Sequence, residues 1–137
     1  VWIIGITTER DFDFPIDVTI QLDRIGGPSA GQMFALGIID TLTPGELNGG
    51  KQVAGTGTID SAGTIGPIGG IRQKLYGARD AGATYFLAPK ENCNEVVGHV
   101  PSGLRVIPVS KLDESLAALD AIRTGSGVDD LPVCTAR

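Results

Sequence analysis

Two spacings of apolar residues alternate along this chain, one with a period of two and one with the period of a helix. Every second residue is apolar over residues 14–22, which predicts a half-buried strand. Further strands are predicted over residues 52–59, 64–68, 84–88 and 104–109, and a turn at residues 60–63 joins the first two as a hairpin. Helices are predicted over residues 29–42, 71–82 and 94–98, and a last helix has Ser110 as its N-cap and Asp113 as its third residue. This order of elements predicts a mixed α/β fold.

A turn of small residues lies where the first strand pattern passes into a helical one. Residues 26–31 read Gly-Gly-Pro-Ser-Ala-Gly, which puts the Ser29 hydroxyl at the start of a helix. Helix N-termini carry unpaired N–H groups and a partial positive charge, so the backbone N–H groups of Ser29 and Ala30 are candidates for an oxyanion hole. The same turn also suits a structural role with Ser29 as N-cap. The turn alone leaves both interpretations open.

A second candidate group is a lysine on an otherwise apolar helical stripe. Helical spacing from residue 71 aligns Ile71, Lys74, Leu75, Ala78 and Gly82, so Lys74 is the single charge on this stripe. Burial lowers the pKa of a lysine, which would make its amine a general base near neutral pH. The alternative is a side chain that extends its charge from the edge of the stripe to water.

Length and composition predict one domain. The chain has 137 residues, of which 42% are hydrophobic, enough for a single core. We interpret it as a fragment of a longer chain, with an early or edge strand over residues 1–6, and a tail over about residues 125–137 that is loosely packed apart from its end. The formal net charge of −5 and the lack of a basic run argue against nucleic acid as a partner. No metal site is expected, because the chain offers one histidine and two cysteines without ligand spacing.

Two other hydrolytic arrangements are disfavoured by spacing. A Ser-His-Asp enzyme would have to use His99, which follows a short loop-like run without an orienting carboxylate and is more typical of a surface or capping residue. Asp11, Asp13, Asp17 and Asp23 would be the carboxylates of a glycosidase. The last two lie on the polar face of the first strand, where solvated side chains are expected.

The two small-residue motifs together resemble the proteolytic domain of Lon-type proteases. The Pro-Ser-Ala-Gly turn and the Gly-Gly-hydrophobic-x-x-Lys helix start appear here in the family's order and at about its spacing. The resemblance implies an α/β domain like domain 2 of ribosomal protein S5, with Ser29 as nucleophile, Lys74 as base and Thr56 helping to orient them. Gly26 departs from the acidic residue that many ATP-dependent members carry there, so a gating role at that position has no support.

Within that family, the segments at residues 14–18, 25–27, 42–47 and 54–59 are most similar to bacterial Lon-like proteins that join a membrane segment and a PDZ domain to the peptidase. The chain also lacks a Gly-x-x-x-x-Gly-Lys-Ser/Thr run for nucleotide phosphates. The resemblance implies an ATP-independent serine endopeptidase without a cofactor, acting on polypeptides. It further implies a membrane anchor N-terminal to this fragment and a domain on the extracytoplasmic side, and a homo-oligomer is an open expectation.

Two further expectations depend on this placement. In an oxidising compartment Cys93 and Cys134 would form a disulfide that ties down the C-terminus, whereas in the cytosol they would be free thiols. The strand over residues 14–22 would receive an extended substrate as an added strand.

Two functions from other classes remain as alternatives. A small-molecule kinase of the galactokinase and mevalonate kinase type has a related fold and also places a serine in a small-residue loop before a helix, but it normally needs a second domain. The other alternative is a peptidase-like binding module that keeps the two residues but is catalytically silent. Nucleotide binding would favour the first, and a Ser29 that reacts with no acylating probe would favour the second.

Overall fold

The computed structural model describes residues 28–42 and 50–136 of the chain. Its helices are α1 (Gly31–Leu42), α2 (Ile71–Asp80), α3 (Cys93–Val96) and α4 (Leu112–Thr124). Its strands are β1 (Val53–Gly55), β2 (Thr58–Ile59), β3 (Ile65–Gly66), β4 (Tyr85–Pro89) and β5 (Arg105–Val109). Short 3-10 turns cover Pro28–Ala30, Lys90–Asn92 and Val128–Asp130. The strands predicted over residues 1–6 and 14–22, the four aspartates and Gly26 lie outside the described residues.

A parallel three-stranded sheet forms the centre of the described fold, with the strand order β1-β4-β5. β4 is the middle strand and is buried along almost its whole length, as expected for an apolar run in a parallel sheet. Helices flank the sheet, so the predicted mixed α/β class is confirmed in this coarse form.

The two faces of the sheet pack against different helices. On one face, Phe86 and Ala88 of β4 join the apolar residues of α2, Ile71, Leu75 and Ala78, in one buried cluster. On the other face, Leu87, which lies between these two residues of β4, belongs to a second cluster with α1 and α4. This alternation follows from the period of two in a strand. It fixes the buried face of α2 on one side of β4 and α1 on the other side.

The strand predicted over residues 52–59 is wrong as a single element. It divides into β1 of the parallel sheet and β2, which pairs with β3 as an antiparallel hairpin across the predicted turn. The division falls at Thr56 and Gly57. Gly57 has a positive φ of 149°, and a Cβ there would lie 2.6 Å from Cγ2 of Ile65. Only glycine fits that conformation and that contact, and the chain leaves the sheet there.

Other predicted boundaries need correction. The N-cap of α4 is Lys111, and Ser110 lies outside the helix with its N–H and hydroxyl both donating to the Glu114 carboxylate at 2.9 Å. Glu114, not Asp113, is thus the third residue of α4. α3 begins at Cys93 and ends at Val96, one to two residues earlier than predicted. α2 ends at Asp80, so Gly82 lies beyond the helix and is exposed, unlike the rest of the predicted stripe.

The C-terminal segment is anchored near its end. Cys134 forms a disulfide with Cys93 and packs against the α2-side cluster. Arg105 of β5 donates hydrogen bonds to the carbonyl oxygens of Asp129 at 3.5 Å and Leu131 at 3.2 Å. Residues 125–127 are exposed, and the loose packing of the tail stays a prediction.

Candidate active site

Ser29 lies in the 3-10 turn immediately before α1, at the entry to the helix. Its carbonyl oxygen accepts hydrogen bonds from the Gly57 N–H at 2.7 Å and from the Thr56 hydroxyl at 2.9 Å. The residue is partly buried, and Ala30 after it is buried. The backbone of Ser29 is therefore fixed by the residues between β1 and β2, and these two hydrogen bonds do not use its side-chain hydroxyl.

Thr56 occupies that break and is only 2% exposed. Its N–H donates to the carbonyl of Leu87 at 3.0 Å, which continues the pairing of β1 with β4 for one more residue. Its hydroxyl donates to Ser29 O and accepts a hydrogen bond from the Lys74 amine, Nζ to Oγ1, at 3.1 Å. One hydroxyl thus links the serine backbone to the lysine side chain.

Lys74 reaches the same point from α2. Gly70 precedes this helix with a left-handed φ of 70°, a conformation that favours glycine, and Lys74 lies on the first turn. The predicted stripe is confirmed for Ile71, Leu75 and Ala78, which are buried, and Lys74 lies partly buried beside them. Its Nζ donates to Ser29 Oγ at 3.0 Å. The amine is therefore directed at Ser29 and Thr56. This differs from the alternative interpretation, in which the Lys74 side chain extends into solvent.

The partial burial of Lys74 has a chemical consequence. Loss of solvation disfavours the ammonium ion and lowers the pKa of Lys74 below its ordinary value of 10.5. In the neutral form, an N–H of the amine can still donate to Thr56 Oγ1 while the nitrogen lone pair faces the Ser29 hydroxyl. A serine hydroxyl beside a positioned amine of lowered pKa is the arrangement of an activated nucleophile.

Two buried polar residues that the sequence did not single out hold these segments. Gln32 of α1 donates from Nε2 to the Thr56 carbonyl at 2.6 Å. Asn92, 1% exposed, accepts from the Ile68 N–H at 3.0 Å and donates to the Ile68 carbonyl at 2.9 Å, and so fixes the approach to Gly70 and α2. A polar residue inside a helical or turn pattern gives no sign of burial, because its partners lie 24 residues away in the chain.

The other predicted site features are His99, the oxyanion hole, and the expected absence of a metal site. The ring of His99 is not among the described hydrogen-bond partners of Ser29, and the His99 backbone N–H ends α3 by donating to Val96 O at 2.9 Å. The oxyanion hole at Ser29 and Ala30 stays a prediction. Within residues 28–42 and 50–136, no cluster of three or more metal-ligating side chains is found, and no helix has the length and apolar character needed to cross a bilayer.

Similarity to known proteins covers the segment that builds this site. Residues 22–121 match the family model of the Lon protease (S16) C-terminal proteolytic domain. The chain is 40% identical over 74% of its length to Lon protease 2 of Herpetosiphon aurantiacus and 36% identical over 79% to Lon protease 1 of Bacillus subtilis. It spans only 13% and 15% of those two proteins. The chain therefore belongs to the Lon protease (S16) proteolytic-domain family, which confirms the family resemblance.

Proposed function

We propose that this chain is a serine endopeptidase domain that hydrolyses peptide bonds in polypeptides with Ser29 as nucleophile and Lys74 as general base. The observation that carries the proposal is the 3.0 Å contact between Lys74 Nζ and Ser29 Oγ. A hydroxyl at a helix entry and an amine on an apolar helix face, 45 residues apart in the chain, have no need to meet for folding. Membership in the Lon family supports the same chemistry and gives no support to the small-molecule kinase alternative.

The proposed reaction has two transfers. Neutral Lys74 accepts the proton of Ser29 as Oγ bonds to the carbonyl carbon of the scissile peptide, and the carbonyl oxygen takes up negative charge. The resulting ammonium gives its proton to the leaving amine as the C–N bond breaks, which leaves an ester on Ser29. Lys74 then takes a proton from water, the hydroxide bonds to the ester carbon, and Ser29 recovers its proton as it leaves.

The negative charge on the substrate oxygen needs fixed donors. We assign this role to the backbone N–H groups of Ser29 and Ala30, at the entry of α1, where the helix dipole is positive. Thr56 keeps the lysine lone pair toward the serine because its hydroxyl proton is engaged by Ser29 O, so its oxygen can only accept from Lys74. No cofactor takes part in this scheme.

The setting of the domain is part of the proposal. We place the chain in the ATP-independent, PDZ-linked branch of the family, as a domain with the S5 domain 2-like topology, anchored to a membrane through a segment outside this fragment. The Cys93–Cys134 disulfide supports an extracytoplasmic location, because such bonds persist in oxidising compartments. Assembly as a homo-oligomer, and addition of the substrate to the strand predicted over residues 14–22, are proposals of the same kind.

Cleavage of an unfolded model protein tests the function directly. We expect wild-type protein to cleave it, Ser29→Ala to lose cleavage, and a change at an exposed serine, Ser126→Ala, to retain it. Added ATP should leave the rate unchanged. Strong stimulation by ATP would contradict the branch assignment, and cleavage that survives Ser29→Ala would contradict the nucleophile. Failure of wild-type Ser29 to react with any acylating probe would favour the silent binding module.

A further inference from the structure

A series of buried, hydrogen-bonded polar groups connects α4 to Thr56, which contacts both members of the proposed catalytic dyad, Ser29 and Lys74. Ser115 and Gln32 are both fully buried, and Thr56 is 2% exposed. The Ser115 hydroxyl donates to Gln32 Oε1, and Gln32 Nε2 donates to the Thr56 carbonyl at 2.6 Å. The other end of Thr56, its hydroxyl, contacts Lys74 and Ser29. Buried hydrogen bonds therefore connect a helix remote in sequence to the residue that orients the lysine.

The orientation of the Gln32 amide follows from its two neighbours. A carbonyl oxygen can only accept, so the amide nitrogen must face Thr56. The amide oxygen then faces Ser115, whose hydroxyl can donate. Each of these polar groups has a partner, as burial requires. Ser115 thus fixes the rotamer of Gln32, and Gln32 fixes the peptide after Thr56.

Stability alone does not explain a polar pair, Gln32 and Ser115, at this buried position. Gln32 and Ser115 lie in α1 and α4, helices that otherwise contribute apolar side chains to one cluster. A pair of apolar residues would fill such a site without the desolvation of an amide and a hydroxyl. The backbone of Gln32 already binds this segment, since its N–H donates to Gly57 O at 3.0 Å. The side-chain hydrogen bond adds a second hold, on the carbonyl of Thr56 itself.

We infer that Gln32 is a positioning residue for the dyad, which holds the Thr56 peptide so that the Thr56 hydroxyl faces Lys74 and Ser29, and that Ser115 orients Gln32. The inference rests on the proposed function for its catalytic consequence. Its geometric consequence, a fixed environment of the Lys74 amine, is independent of whether the chain hydrolyses peptides.

Three variants separate positioning from stability. Gln32→Met keeps the volume and the backbone hydrogen bond but removes the donor to Thr56. Ser115→Ala removes the outer donor and leaves the bond from Gln32 to Thr56 available. Ile122→Ala, in the same helix as Ser115 and buried, destabilises α4 without touching this series of polar groups. Melting temperature, kcat and KM for a small peptide ester are measured for each, together with the 13Cε chemical shift of Lys74 in lysine-labelled protein at fixed pH.

We expect Gln32→Met to lower kcat by about tenfold or more with KM changed by no more than about twofold, because misplacing a catalytic group affects the transition state above all. The 13Cε shift of Lys74 should change in the same variant. Ser115→Ala should lower kcat less, and Ile122→Ala should lower the melting temperature while leaving kcat and the Lys74 resonance as in the wild type.

Two outcomes would overturn the inference. One is a Gln32→Met variant with wild-type kcat and an unchanged Lys74 resonance. The other is a loss of kcat in all three variants in proportion to their loss of stability, which is the signature of a structural role. If the wild type does not hydrolyse the ester, the proposed function fails, and the Lys74 resonance of folded Gln32→Met still decides whether Gln32 positions the amine. If Gln32→Met does not fold, the smaller change in Ser115→Ala is read by the same resonance.

Discussion

The dyad region and the C-terminal tail are held in place by opposite means. At the proposed Ser29–Lys74 dyad, the turn before α1, the break after β1, and α2 meet through hydrogen bonds of 2.9–3.1 Å that join Ser29, Thr56 and Lys74. The tail is held by the covalent Cys93–Cys134 bond and by the hydrogen bonds that Arg105 donates to backbone carbonyls. Under the proposed function, the first arrangement fixes atoms whose positions affect the reaction rate, whereas the second fixes a segment whose attachment affects stability.

Neighbouring residues show the division most clearly. Asn92 and Cys93 are adjacent at the start of α3, yet Asn92 holds Ile68 before the lysine helix while Cys93 holds the tail. We therefore expect a substitution of Asn92 to lower both kcat and the free energy of unfolding, whereas a substitution of Cys93 should lower only the free energy of unfolding.

The largest expected effect is at the proposed base. Lys74→Arg should lower kcat/KM by about a thousandfold or more, because a guanidinium stays protonated and cannot accept the serine proton. The fold should be retained, since the apolar neighbours Ile71 and Leu75 are unchanged. An exposed lysine, Lys90, provides the matched control as Lys90→Arg. Turnover close to wild type in Lys74→Arg would remove the role assigned to Lys74.

Removing the disulfide should affect stability and spare the chemistry. The bond closes a sequence separation of 41 residues, which corresponds to about 3–4 kcal/mol in the chain-entropy estimate. The double variant Cys93→Ser/Cys134→Ser should lose about that much free energy of unfolding in denaturant titration, with kcat near that of the wild type. Two free thiols counted by mass spectrometry in periplasmic protein would contradict the disulfide and remove its support for an extracytoplasmic location.

Much of this division follows from the sequence, but not all of it. The helical spacing around Lys74 placed the lysine on the buried face of α2, because that face is set by neighbours three and four residues away. The turn at residues 60–63 was predictable for the same local reason. The break at Thr56 and Gly57 was not, because it depends on Ile65 and Ser29, which only the tertiary fold brings near.

The same limit explains the missed polar residues. Gln32 and Ser115 lie 83 residues apart, and each resembles an exposed helical position until the other is in place. Ser110 resembled an N-cap because serine favours that position, yet the pairing with Glu114 moved the cap to Lys111. Local chemistry was enough to predict Ser29 and Lys74 as the candidate pair, whereas long-range packing decides which residues hold them.

Asn92 tests the boundary between the two regions. Asn92→Ala removes both hydrogen bonds to Ile68 and leaves its partly buried N–H and C=O unpaired, at a cost of about 1–3 kcal/mol. We expect this variant also to lower kcat several-fold, unlike the disulfide variant, because the start of α2 loses its support. The exposed neighbour Glu91, changed to Ala, should alter stability by no more than about 0.5 kcal/mol. Unchanged kcat in Asn92→Ala would show that Asn92, like the disulfide, affects stability alone.

The pH dependence of kcat/KM is the most specific test of the proposed base. Lys74 must be neutral to accept the serine proton, so kcat/KM should rise with pH until the Lys74 ammonium has lost its proton. Because burial lowers the pKa of Lys74, that rise should end below 10.5. Each pH unit under the Lys74 pKa should lower the rate about tenfold, equivalent to about 1.4 kcal/mol. A limb of the pH profile that vanishes in His99→Ala would indicate a histidine base, and this result would contradict the Ser-Lys assignment.

The same proton affects folding with a definite sign. A lysine whose pKa is lower in the folded chain than in the unfolded one makes the unfolded chain bind more protons between the two values. The free energy of unfolding should therefore rise with pH from the lowered pKa up to about 10.5, and the contribution of Lys74 should be flat below that interval. Lys74→Met should abolish this rise, whereas Lys90→Met should retain it. A rise over this pH interval that survives Lys74→Met would show that the partly buried amine of Lys74 is not its source.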